Sequence, residues 1–151
     1  MKRYYSLFST ALIVVAFLLI VSCSKEKDSK DTERDLIDDL LAKYGDTCFV
    51  EHDGIYLYLV EQGNFEYSSD DVVKMTYTGQ SLGDNFTFAK DKVVTFEYGN
   101  SGLIKGIDMA LPYIKQGSKG YILVPFKYGY GKRRVGQIEP YSTLLFTFAM
   151  Q

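Results

Sequence analysis

The chain has 151 residues, with 17 Lys and Arg against 19 Asp and Glu, a formal charge of −2. So mild a balance offers no electrostatic footprint for nucleic acid, and the length suits one domain with a real core. One histidine and two cysteines form no metal or nucleophile constellation, so no metal or cofactor is expected, while 13 Tyr and 10 Phe without a Trp point to an aromatic core in a small β protein.

Residues 1–22 read as a targeting segment, because Lys2 and Arg3 precede an apolar run from Ala11 to Val21 that is short for a membrane span. Ile20-Val-Ser-Cys23 fits a bacterial lipobox, which makes 1–22 a lipoprotein signal peptide and Cys23 the lipidated first residue. Without Lys2 and Arg3, 15 basic residues face 19 acidic ones, a charge of −4, and Cys48 is the one thiol left, so no internal disulfide can form. The expected location is the cell envelope, held to a membrane by lipid, with the outer membrane favoured and the domain in the periplasm or at the cell surface.

Residues 23–31 are charged and lack an apolar face, which suits a flexible tether. The pattern changes at 32–45, where Leu36, Ile37, Leu40, Leu41 and Tyr44 fall at helical spacing, Asp31 or Thr32 can cap the start and Gly45 can end the helix. Such a stripe packs on the rest of the chain or on a second copy, so a homodimer through this helix stays open.

Residues 46–151 carry the main domain. The segments TCFVE and IYLYLVE flank His52-Asp-Gly, a hairpin signal, and His52 beside that turn is expected to be solvent-exposed rather than catalytic. After a polar loop from Asn64 to Asp71, Val73, Met75 and Tyr77 alternate with Lys74, Thr76 and Thr78, as in a half-buried strand. Ser81 to Asn85 reads as a turn, Phe86 to Phe88 as extended chain, Lys90 to Lys92 as another turn, and Val94, Phe96 and Tyr98 as inward positions.

The stretch from Leu103 to Gly131, LIKGIDMALPYIKQGSKGYILVPFKYGYG, organises the remainder. Ile107, Ala110 and Leu111 lie at helical spacing and Pro112 limits that helix. The run from Tyr121 to Phe126 is apolar on both faces, as a central strand must be, and the glycines of Phe126-Lys-Tyr-Gly-Tyr-Gly131 can hold a tyrosine over a cleft. Lys132-Arg-Arg134 makes a basic loop, and Leu144, Phe146 and Phe148 form a last alternating strand. The expected fold is α+β, a twisted antiparallel sheet of five or six strands wrapped as a half-barrel over one short helix.

With Val72-Val-Lys-Met-Thr-Tyr-Thr-Gly79 before it and Pro140-Tyr-Ser-Thr-Leu-Leu-Phe146 after it, that stretch resembles an FKBP-type peptidyl-prolyl cis/trans isomerase domain. The resemblance implies an apolar pocket that takes proline-containing peptides or proteins, with Tyr130, Phe86, Phe146 and Tyr77 as catalytic positions and Leu103, Ile104, Ile107, Ile138 and Thr87 as substrate-binding ones. Tyr130 Oη and the Ile104 N–H would bind the peptide carbonyls, and Phe86 and Phe146 would wall the proline ring. Departures from the family pattern fall at Thr87, where an aspartate is usual, at Ile107, where the floor is typically tryptophan, and at Gln137, where an apolar residue is usual. The implied function is isomerisation of Xaa-Pro bonds during folding of envelope or secreted proteins; the alternative is a lipid-anchored peptide-binding or scaffolding module with little turnover.

Overall fold

The computed structural model describes residues 28–45 and 48–151. The chain divides into two units at Asp35 and Leu36. Residues 28–44 are helical (α1), 28–35 belonging to the first unit and 36–44 to the second. The tether and helix boundaries read from sequence therefore shift: residues 28–31 are already helical, Asp31 and Thr32 lie inside the helix rather than capping it, and Thr32 Oγ1 donates back to the Asp28 carbonyl at 2.9 Å. Gly45 does end it, at φ +91°, with the Cys48 N–H returning to its carbonyl at 3.0 Å. Cys23 and the segment before it lie outside the described residues.

The second unit is built on one six-stranded antiparallel sheet: β1 (Val50–His52), β2 (Ile55–Glu61), β3 (Val72–Ser81), β4 (Phe86–Glu97), β5 (Lys119–Val124) and β6 (Leu144–Met150), in the order β1-β2-β5-β6-β3-β4. Asp53 and Gly54 both take positive φ, 53° and 89°, giving a two-residue hairpin turn that matches the twist of β1 and β2. His52 is partly covered, not fully exposed as expected, because its ring stacks on Tyr113 at 3.9 Å.

A second correction concerns Lys90 to Lys92. No turn forms there: β4 runs unbroken from Phe86 to Glu97, and Asp91, at φ +48°, sits in a bulge where Tyr77 pairs with Lys92 but Gly79 with Ala89. The Asp91 N–H donates to Thr78 Oγ1 at 3.2 Å and holds the irregularity in place.

Strands β5 and β6 lie centrally and bury side chains on both faces. Ile122, Val124, Leu144, Phe146 and Phe148 point into the concave face with Ile55, Leu57, Val73, Met75 and Phe96; the short helix α2 (Lys105–Ala110) packs there through Ile107 and Ala110. A Cβ at Gly106 would come within 2.3 Å of Val124 Cγ1, so glycine sets how closely α2 approaches β5. A 3-10 turn at Leu111–Tyr113 containing Pro112 ends the helix. On the opposite face Leu123 and Leu145 form a smaller cluster with Phe49 and with Ile37 and Leu40 of α1. The helical stripe seen in the sequence thus covers the chain's own sheet.

Candidate functional site

A cavity of about 510 Å³ opens between the concave face and α2. Strand β3 supplies Met75 and Tyr77, β6 supplies Phe146, the chain entering α2 supplies Gly102, Leu103 and Ile104, and Ile107 forms the buried floor, 2 % exposed. Tyr130 and Arg133 enter from the loop after a 3-10 turn at Phe126–Tyr128. That loop is pinned by Gly131 N–H to the Phe126 carbonyl at 3.0 Å and by Tyr141 N–H to the Gly131 carbonyl at 2.7 Å.

Six of the positions expected from sequence therefore converge: Tyr77, Leu103, Ile104, Ile107, Tyr130 and Phe146. Three do not. Phe86 belongs to neither core cluster and does not line the cavity; the β4 aromatic against Phe146 is Phe88, with ring centroids 5.8 Å apart at 76°. The physical reason is the register of β4: Gln80 pairs with Thr87 and Gly79 with Ala89, leaving Phe88 as the extra residue of a bulge that aims its ring inward. Gly79 makes room, since a Cβ there would lie 2.4 Å from Phe88 Cε2.

Thr87 points away and accepts a hydrogen bond from Gln80 Nε2 at 3.1 Å on the exposed side, so the residue after the wall phenylalanine is the buried Ala89. Ile138 is 4 % exposed and packs in the core behind the site. The site residues read from sequence also left out Met75 and Lys105; the inward alternation of Met75 was a signal for it, and Arg133 belongs to the basic loop read at 132–134.

Two donors at the cavity have no protein acceptor among the described residues, the Tyr130 hydroxyl and the Ile104 backbone N–H. Ile104 has extended geometry (φ −67°, ψ 148°) as the residue before α2, so its carbonyl receives the Ile107 N–H at 3.0 Å while its own N–H stays outside the helix. Burial, and secondarily the neighbouring Tyr77 phenol, push the Tyr130 pKa above its ordinary value, so the hydroxyl is a neutral donor throughout the physiological range. Tyr77 and Phe146 rings lie 6.0 Å apart and complete an apolar wall. Among the described residues no cluster of His, Cys, Asp or Glu can hold a metal ion.

A twisted antiparallel sheet over a short helix, with an aromatic pocket and two free donors between them, defines the FKBP-type class of domain. The sequence profile described as FKBP-type peptidyl-prolyl cis-trans isomerase matches residues 63–151, and the chain belongs to this family. It is similar to FK506-binding protein 2 of Aspergillus oryzae, 38% identical over 80 residues that cover 50% of this chain and 60% of that protein. Similarity to FK506-binding protein 2 of Aspergillus fumigatus is 32% over 97 residues, 62% of this chain and 72% of that one. Among solved structures, FkpA from Escherichia coli superposes with a TM-score of 0.68 at 27% identity, covering 83% of this chain and 60% of FkpA. A peptidyl-prolyl cis-trans isomerase of Pseudomonas syringae shares the fold at TM-score 0.68 and 23% identity, covering 82% and 92%.

Proposed function

We propose that this protein isomerises Xaa-Pro bonds of client proteins in the cavity between α2 and the concave face. The observation that carries this reading is the pair of unengaged donors, Tyr130 Oη and Ile104 N–H, over an apolar floor. A prolyl amide crosses a barrier of ~18–20 kcal/mol and takes tens to hundreds of seconds unaided. Twisting it removes the resonance and part of the charge separation, so an apolar pocket disfavours the planar form relative to the twisted one. Donors that fix the flanking carbonyls hold the peptide in the turn that twisting requires. Neither effect needs an acid, a base or a metal.

The test is the cis-to-trans rate of a set of short Xaa-Pro peptides with the full chain, beside Tyr130→Phe and Phe146→Ala. Acceleration by the parent that falls about ten-fold or more in both variants supports the reading. A folded protein that binds the peptides without accelerating them is instead a binding module, which Ile107 as a floor smaller than an aromatic also suits.

The setting we propose is the bacterial envelope, in the folding of exported proteins, with Cys23 carrying the lipid. Its support is the basic start, the apolar run and Ile20-Val-Ser-Cys23. Cys23→Ser expressed in a bacterial host is expected to move the protein from the membrane to the soluble fraction; an unchanged membrane fraction overturns the assignment.

A further inference from the structure

Resting on the isomerase reading, the charge around the same cavity bears on which prolines suit it. Its lining holds two cations, Lys105 and Arg133, and no Asp or Glu. Both are exposed, so they stand at the open edge above the apolar floor. Arg133 forms no ion pair among the described residues, whereas its neighbour Arg134 is paired with Glu139. Lys105 is 5.4 Å from the centre of the Tyr128 ring, a contact that orients an ammonium without neutralising it. Of the acids closest in sequence, Glu139 holds Arg134, and Asp108 accepts from Ser101 Oγ and lies in a separate depression with Tyr98 and Pro112. Ala89, which follows the wall residue Phe88, brings no carboxylate to offset the cations.

An excess of positive charge beside a buried apolar floor selects among peptides by what flanks the proline. We infer that Lys105 and Arg133 are specificity residues that favour client segments carrying an acidic side chain next to the proline. The proline ring occupies the aromatic pocket, and the neighbouring carboxylate is drawn to the cations at the rim. The attraction acts across water-exposed groups, so it is modest in size and falls with salt.

The experiment uses the full chain and two matched peptide pairs, Glu against Gln immediately before the proline, and Glu against Gln immediately after it. The ratio of kcat/KM within a pair is expected to reach about three-fold at low salt and to shrink toward one at ~0.5 M salt. Lys105→Gln with Arg133→Gln removes the ratio, and Lys105→Arg with Arg133→Lys keeps it. A ratio of one in both pairs for the parent protein, or one unchanged in the double Gln variant, overturns the inference.

Should the parent accelerate none of the peptides, the isomerase reading falls separately. The dissociation constants of the same pairs by fluorescence anisotropy then decide: Glu favoured over Gln supports the charge selection, and equal values overturn it. Binding to phosphatidylglycerol vesicles that needs the two cations, with no preference between peptides, also overturns it and assigns them to a lipid surface instead.

Discussion

The two faces of the sheet solve different problems with the same strands. Along β5 and β6 alternate residues go opposite ways: Ile122, Val124, Leu144 and Phe146 to the concave side, Tyr121, Leu123 and Leu145 to the outer one. The outer side is covered in part by α1 residues 36–44, which seat Ile37 and Leu40 against Leu123, Leu145 and Phe49. On the concave side α2 covers only part of the surface and leaves the cavity over Ile107. Residues 36–44 lay an apolar stripe over the Leu123–Leu145 patch, while a six-residue helix held close by Gly106 leaves room for a ligand.

The sharpest way to break this comparison is to truncate one buried residue on each face. Ile122 and Leu123 are both fully buried, and each change to Ala is expected to cost about 2–5 kcal/mol by urea unfolding. A cost below ~1 kcal/mol for Leu123→Ala would show that the outer cluster is a loose cover rather than a second core.

Next comes the seat of α1. Ile37→Ala and Leu40→Ala, each 8 % exposed in the parent, should lower stability by about 2 kcal/mol apiece and leave the isomerase rate of the folded protein unchanged. A rate lost along with stability would tie the outer face to the site.

Gly79→Ala should do the reverse. The added methyl meets the far edge of the Phe88 ring and comes within 3.3 Å of Phe146 Cε1, so the ring must shift in the cavity wall and kcat/KM is expected to drop about ten-fold while the unfolding midpoint moves little. An unaffected rate with a large stability loss would mean that the bulge serves the sheet and not the pocket.

The smallest effect is alkaline. Tyr44, on the outer face, and Tyr67 and Tyr130 have pKa values raised chiefly by burial. A raised pKa means that the folded state keeps the phenol proton after the unfolded chain would release it. Stability from these groups is full below about pH 10 and is lost as pH climbs through the higher folded values. Unfolding monitored across that range should show the loss, and Tyr130→Phe should remove part of it; a flat profile would contradict the burial of these phenols.

Composition, alternation and local chemistry determined much of this protein. Period-two patterns placed Val73, Met75 and Phe96 inside, Asp53-Gly54 specified its turn, and Ile107 with Ala110 marked the face of α2, because each depends on neighbours within a few residues. The same period cannot separate Phe86 from Phe88, which share a parity. That choice fell to the pairing of Gln80 with Thr87 and of Gly79 with Ala89, and to the missing side chain at Gly79, all on another strand. Ile138 in the core, His52 stacked on Tyr113, and the meeting of Lys105 with Arg133 at one rim likewise depend on residues far apart in the chain. Local pattern fixes which way a side chain points along its own element; strand register and helix seating decide what it meets there.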